Sequence, residues 1–182
     1  MEQFLKRDIS QLSDQDLLRS RDQVIEQMGW ARSYTLQLIE SVPEELWETM
    51  PGSSNTNLAW QIGHLAVAEY GLMLFRQRGR APGDLDLMPG WLRKKFGRGT
   101  TPATYDGKPS REELLARFAE IHNQALTEAA EFTSEMLREP TDMPYTTYPN
   151  KLGALLFCPI HESIHAGQIG TLRRLHGLEP IR

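Results

Sequence analysis

Apolar residues recur along the chain at three- and four-residue steps. Leu17, Val24, Ile25, Met28, Ala31, Leu38 and Ile39 form the first such stripe, the spacing of one helix face. Ser13 with Asp16 three residues later is a capping-box start, and Pro43 cannot continue the hydrogen-bond ladder. The pattern predicts a helix from about Asp14 to Ser41, then a helical turn in "PEELWETMP" and a loop at "GSSNT". A second helix is predicted from about Thr56 to Gln77; "NLAWQIGHLAVAEYGLMLF" is apolar on most sides, so it should be deeply buried. Ser110 and Glu113 form a capping box opening a third helix along Leu114, Phe118, Ile121 and Ala125 to about Leu137. The fourth runs from about Lys151 to Leu175, with Arg173 and Arg174 suiting its negative end, Gly177 as a stop and Pro180 beyond. Pro159 lies within it and predicts a kink or a late start.

Between the second and third helices, Gly79 to Pro109 is rich in glycine, proline and threonine. A connection this long in a compact domain is functional or mobile. No segment alternates as a strand does, and no internal repeat is present. The expectation is an all-α fold: an up-down four-helix bundle with a long irregular connection between helices 2 and 3, forming one domain over residues 1–182.

Composition narrows the class. Hydrophobic residues make up 40% and charged residues 24% of the 182, as in ordinary globular proteins. A net charge of −4 offers no general attraction to nucleic acid or an anionic membrane. The single cysteine, Cys158, excludes an intrachain disulfide. "MEQFLKRDIS" lacks the apolar run of a signal peptide, and nothing approaches a membrane span. A cytoplasmic protein is expected.

One stretch of the fourth helix carries chemistry. "HESIHAGQIG" places His161 and His165 four residues apart, hence on one helix face. With Glu162 it spells H-E-x-x-H, the zinc-protease pattern. A protease needs a third ligand downstream. The longer metzincin motif would put glycine and histidine where Gln168 and Thr171 stand, and Glu179, the only remaining glutamate, lies in a short tail. Nor is there a strand to hold an extended substrate. A better third ligand is His64, on the apolar second helix beside Trp60, Val67, Ala68 and Gly71. A lone histidine on such a face is more often a satisfied core residue. The inward pair elsewhere shifts that balance, since bundle cores build metal sites from facing helices. Three neutral imidazoles suit zinc, nickel or ferrous iron and leave positions for water or substrate.

"NLAWQIGHLAVAEY" together with "CPIHESIHAGQIGTLRRLHG" resembles the DinB superfamily, which includes the YfiT-like thiol transferases. The resemblance implies a four-helix bundle with one histidine on the second helix and an H-x-x-x-H-x-G-Q pair on the fourth. Matched residue by residue, it implies a divalent metal on His64, His161 and His165, with Gly167 and Gln168 completing the signature. It also implies, for some relatives, transfer chemistry with low-molecular-weight thiols such as bacillithiol or mycothiol, or a part in maleylpyruvate isomerisation. Relatives often pair, and a homodimer is expected.

Glu162 is a candidate catalytic base, a group that steadies a metal ligand, or a surface residue. Gln168, on the His165 side, is a candidate for hydrogen bonding near the site or for helix packing. His122 and His176 lack a histidine partner at i±4 and read as ordinary, and Cys158 reads as a small core hydrophobe. The basic run "WLRKKFGRG" could hold an anionic substrate over the metal mouth, or be a solvated loop. "GKPS" around Lys108 is no phosphate loop. Two functions stay open: a metal-dependent enzyme acting on a small molecule, foremost a thiol S-transferase with a hydrolase using activated water beside it, and a binding protein with a structural three-histidine metal site.

Overall fold

The computed structural model describes residues 9–102, 109–142 and 145–181. The start of the N-terminal segment read above and Lys108 of "GKPS" fall outside them. Among the described residues the chain is helical, without strands; one isolated bridge joins Pro140 and Asn150. No helix there is long and apolar enough to cross a membrane.

Helix α1 spans Asp14–Glu40 and opens with the expected capping box between Ser13 and Asp16. After a 3₁₀ turn at Glu44–Leu46, α2 spans Leu58–Glu69, capped by Asn57. It widens into a π-helical stretch, Tyr70–Phe75, and closes as α3, Arg76–Arg78, with Gly79 at φ 77°. The expected irregular connection contains α4, Asp84–Leu87, and α5, Gly90–Phe96. The third long helix, α6, spans Arg111–Ala129 and opens with the Ser110–Glu113 box. It ends earlier than Leu137 because the chain turns at Glu131 and Phe132. The Thr133 hydroxyl then accepts from the Met136 amide and starts a new helix, α7, Ser134–Arg138. Helix α8 spans Lys151–Leu175 and is unbroken at Pro159, so the late start is not seen.

Side-chain bonds fix how the long helices run. Arg32 meets Glu162 and Arg173 meets the Leu38 carbonyl, so α1 and α8 are parallel. Glu69 meets His122 and Arg78 meets Glu128, so α2 and α6 are parallel. Gln61 meets Gln168 and Gln77 meets the Lys151 carbonyl, which makes α2 and α8 antiparallel. The order is therefore up, down, down, up, a correction to the alternating order expected. The physical reason is the connection after α3, which climbs back along α2 before α6 descends. Both of its short helices are anchored. Arg78 forks onto Asp84 (2.6 and 3.0 Å) and Glu128 (2.6 and 2.9 Å), tying α4 to α6. Further along, Leu92 and Phe96 are fully buried against the core.

All four long helices contribute to one hydrophobic cluster, in which Cys158 is a buried, free thiol as expected. Inside it lies a polar knot with one side chain from each. Arg32 of α1 donates to both oxygens of Glu162 of α8 (2.8 and 3.0 Å) and to Glu69 of α2 (2.6 Å). The other Glu69 oxygen accepts from His122 Nδ1 of α6 at 2.7 Å. The guanidinium also donates to the Phe118 carbonyl at 3.0 Å and lies 3.4 Å from the centre of its ring. Burial opposes every charge here, yet Arg32 is held above its ordinary pKa by the two carboxylates. Glu69 is held below its own by Arg32 and His122. The knot satisfies the rule that buried charge survives only when paired and hydrogen-bonded.

Candidate metal centre

Three histidines meet where α2 and α8 cross. One ring nitrogen from each of His64, His161 and His165 can be chosen so that all lie within 4.8 Å of one another. The ring centroids are 5.3 Å (His64 to His161), 4.9 Å (His64 to His165) and 4.5 Å (His161 to His165) apart. The helical i, i+4 step brings the α8 pair to one face, and the antiparallel α2 delivers His64 opposite.

Two of the three rings are held in a defined tautomer. His64 Nδ1 lies 2.8 Å from the Phe96 carbonyl. A carbonyl only accepts, so Nδ1 carries the proton and Nε2 the lone pair. His165 Nδ1 likewise donates to Gln61 Oε1 at 2.5 Å. Gln61 is itself fixed, its amide donating to Thr56 Oγ1 and Gln168 Oε1 at 2.9 Å each. This is the arrangement by which histidine ligands are oriented: the far nitrogen is tied, the near one is free. His161 packs against the rings of Phe157, His64 and His165 and has no hydrogen-bond partner among the described residues.

Burial lowers all three imidazole pKa values, because the charged form is poorly solvated there, and neighbouring histidines add repulsion at two of them. His161 falls to about 4 and His165 to about 3; His64 is lowered although its Phe96 bond acts the other way. Neutral imidazole is the form that binds metal. The donor set therefore fits a divalent ion: three neutral nitrogens, two of them aimed.

The candidate residues divide sharply. Gln168 reaches the site through Gln61, one bond removed from His165. Glu162 faces elsewhere. It is buried with both oxygens on Arg32, so it is no surface residue. One residue along a helix turns the side chain by about 100°, which carries Glu162 into the core while His161 faces the cluster. His122 is likewise no ordinary surface histidine but part of the knot. His176 is the C-terminal cap of α8, 3.4 Å from the Thr49 hydroxyl.

A model of the DinB superfamily matches residues 27–169. The chain belongs to the DinB superfamily. The matched span includes all three histidines, Gln61 and Phe96. No curated protein matches the chain.

In this DinB-superfamily chain the histidines stand between two cavities. One, about 380 Å³, is lined by His64 and His161 with Val67, Leu72, Phe157 and two arginines. The other, about 590 Å³, is lined by His165 and Gln168 with a rim of hydroxyl and amide groups from Ser53 to Thr56. Trp60 and Thr100 line both, joined by a 3.0 Å bond from the indole N–H to the hydroxyl. Trp60 also stacks on His64, centroids 4.7 Å apart. Sequence reasoning missed Gln61 and the Phe96 carbonyl, which hold two of the three rings. Gln61 carries a usable signal, a polar side chain three residues before His64 in an otherwise apolar helix. The Phe96 carbonyl carries none, since every residue has one.

Proposed function

We propose that this protein is a divalent-metal enzyme, zinc or nickel being the preferred ion, that transfers a low-molecular-weight thiol to a small electrophile. One observation carries the reading: a neutral, oriented three-histidine cluster opens onto two cavities of different lining. A structural metal site would be closed and dry. A transferase must bring two partners to one point, and the two cavities offer two approaches. When bound, a metal would supply Lewis acidity and lower the pKa of a coordinated thiol.

The chain's own residues supply the rest. His64 and His165 would hold the ion through the nitrogens left free by Phe96 and Gln61, and His161 through a ring nitrogen that bonds no described residue. The Gln61–Gln168 pair fixes the His165 ring from the polar side. Trp60 shields His64 and, with Thr100, divides the two approaches. Glu162, committed to Arg32, offers no base beside the cluster, which weighs against water-activating hydrolysis.

The rest of the proposal concerns context. The chain is read as one four-helix bundle domain, cytoplasmic and homodimeric. Exposed Trp30, Ile160 and Ile164 border an apolar groove between α1 and α8 that a second copy would cover. Metal analysis of untagged protein, followed by an assay of thiol conjugation to an aryl halide, tests the function. Activity that needs the metal and disappears in His161→Ala is expected. Equal activity in metal-free protein would overturn it.

A further inference from the structure

We infer that the cavity beside His64 and His161 binds a small organic acid, its carboxylate on Arg76 and Arg98 and its apolar body against Phe157, Val67 and Leu72. This rests on the transferase reading only in calling the occupant a substrate.

Among the described residues the lining carries two guanidiniums and no carboxylate. Arg76 comes from the end of the second long helix and Arg98 from the turn after α5, so two separate elements bring like charges to one mouth. Both meet Tyr145. Arg76 Nη1 donates to the Tyr145 carbonyl at 3.3 Å, and the Arg98 guanidinium lies 5.4 Å from the centre of the tyrosine ring. Tyr145 sits at φ 72°, a conformation rare for a bulky residue, and rests against Phe157 at 5.9 Å between centroids. Such outliers persist where surroundings over-determine them, often at ligand clamps.

Burial disfavours the charge on Arg76, against the pull of Asp142, which is not among the lining residues. An entering anion would offset that penalty. Two planar forks from different directions suit a carboxylate, which accepts bidentate bonds. Val67, Leu72 and Phe157 add apolar walls to the same lining, and His64 and His161 belong to it too. A bound acid would thus be held at one end and present its other end to the cluster. The cavity's volume, about 380 Å³, lies in the lower part of the range for small-molecule sites. Among the described residues the second cavity has no charged lining side chain, its His165 being neutral, so the two sides discriminate by charge.

The test compares 3-phenylpropionate, its amide and phenylphosphonate by calorimetry on metal-free and zinc-loaded protein, with amide NMR shifts at Gly71 and Gly99. The acid should bind metal-free protein at least about tenfold tighter than the amide and shift both glycines. Arg98→Gln, an exposed position, and Arg76→Gln should each erase most of that preference. Arg93→Gln, which lines a different cavity, should not. Equal binding of acid and amide, or no binding at millimolar concentration, overturns the inference. Tighter binding of the phosphonate than of the acid overturns the choice of carboxylate. A preference that needs zinc and survives both arginine substitutions places the carboxylate on the ion; it sinks the subsite and leaves the transferase reading standing. Failure of the protein to bind zinc would sink that reading without touching a preference measured on metal-free protein.

Discussion

His161 and Glu162 are neighbours in sequence, yet they belong to two polar clusters with opposite logic. Glu162 joins Arg32, Glu69 and His122 in a knot where every charge meets an opposing or hydrogen-bonding group. His161 joins His64 and His165, where three like groups face one another and the neutral form is favoured. The knot is sealed among all four long helices; the triad spans two of them and opens on cavities. A complete cluster is finished by folding. An incomplete one, with three neutral ring nitrogens within reach of one another, could hold an ion from outside.

The sharpest way to break this contrast is to open the knot. Arg32→Leu leaves two buried carboxylates without their cation, and a broken buried pair costs about 3–5 kcal/mol. Chemical denaturation should show a loss of that size, or no stably folded protein. The triad predicts the reverse pattern. His161→Ala should lower zinc affinity by more than about a hundredfold, measured by competition with a chelator, since one of three ligands is gone and the others are less well held. The stability of metal-free protein should change by no more than about 1 kcal/mol, because the ring gives up no hydrogen bond. A metal-free His161→Ala protein as unstable as Arg32→Leu would erase the distinction between the clusters.

A third prediction concerns the scaffold behind His64. A Cβ on Gly63 would lie 2.3 Å from Phe96 Cγ, so the ring must move in Gly63→Ala. Overpacking of this kind costs about 1–3 kcal/mol. Moving Phe96 also moves the carbonyl that orients His64, and zinc affinity should fall about tenfold. Destabilisation with unchanged zinc affinity would show that the carbonyl is not needed to aim the ring.

Much of this was legible in the chain. The four long helices, the two capping boxes and the Gly177 stop follow from periodicity and local chemistry. The pairing of His161 with His165 follows from helical spacing. Helix direction was not legible, because it depends on which end of α2 the Gly79–Pro109 connection climbs back to. The knot was half-visible. Arg32 falls in the apolar stripe four residues after Met28, and Glu69 lies within an apolar helix, but neither names its partner. Glu162 was left open between three roles, because H-E-x-x-H alone does not say what the carboxylate touches. The helix phase that puts two histidines inward turns the residue between them onto another neighbour, and only packing says which.

The smallest expected effect is on pH dependence. His161 and His165 are lowered to about 4 and about 3 from an ordinary 6.5, and His64 is lowered too. As pH falls below about 6.5 the unfolded chain takes up protons that these folded histidines refuse. Metal-free protein must therefore lose stability across the interval from 6.5 down towards 4. Glu69 is lowered from 4.5, so its contribution is fully present above that value and is lost below it. The triad thus acts in the upper window and the knot in the lower. Scanning calorimetry should find the melting temperature of metal-free protein falling by on the order of 5 °C between pH 7 and pH 5. The double variant His161→Ala, His165→Gln should flatten that fall and keep the decline below pH 4.5. Zinc should raise the melting temperature at pH 7 by mass action, an increment that shrinks as protons compete for the imidazoles. An upper-window slope unchanged in the double variant would mean that other histidines carry it, and that the triad is not the buried neutral cluster described.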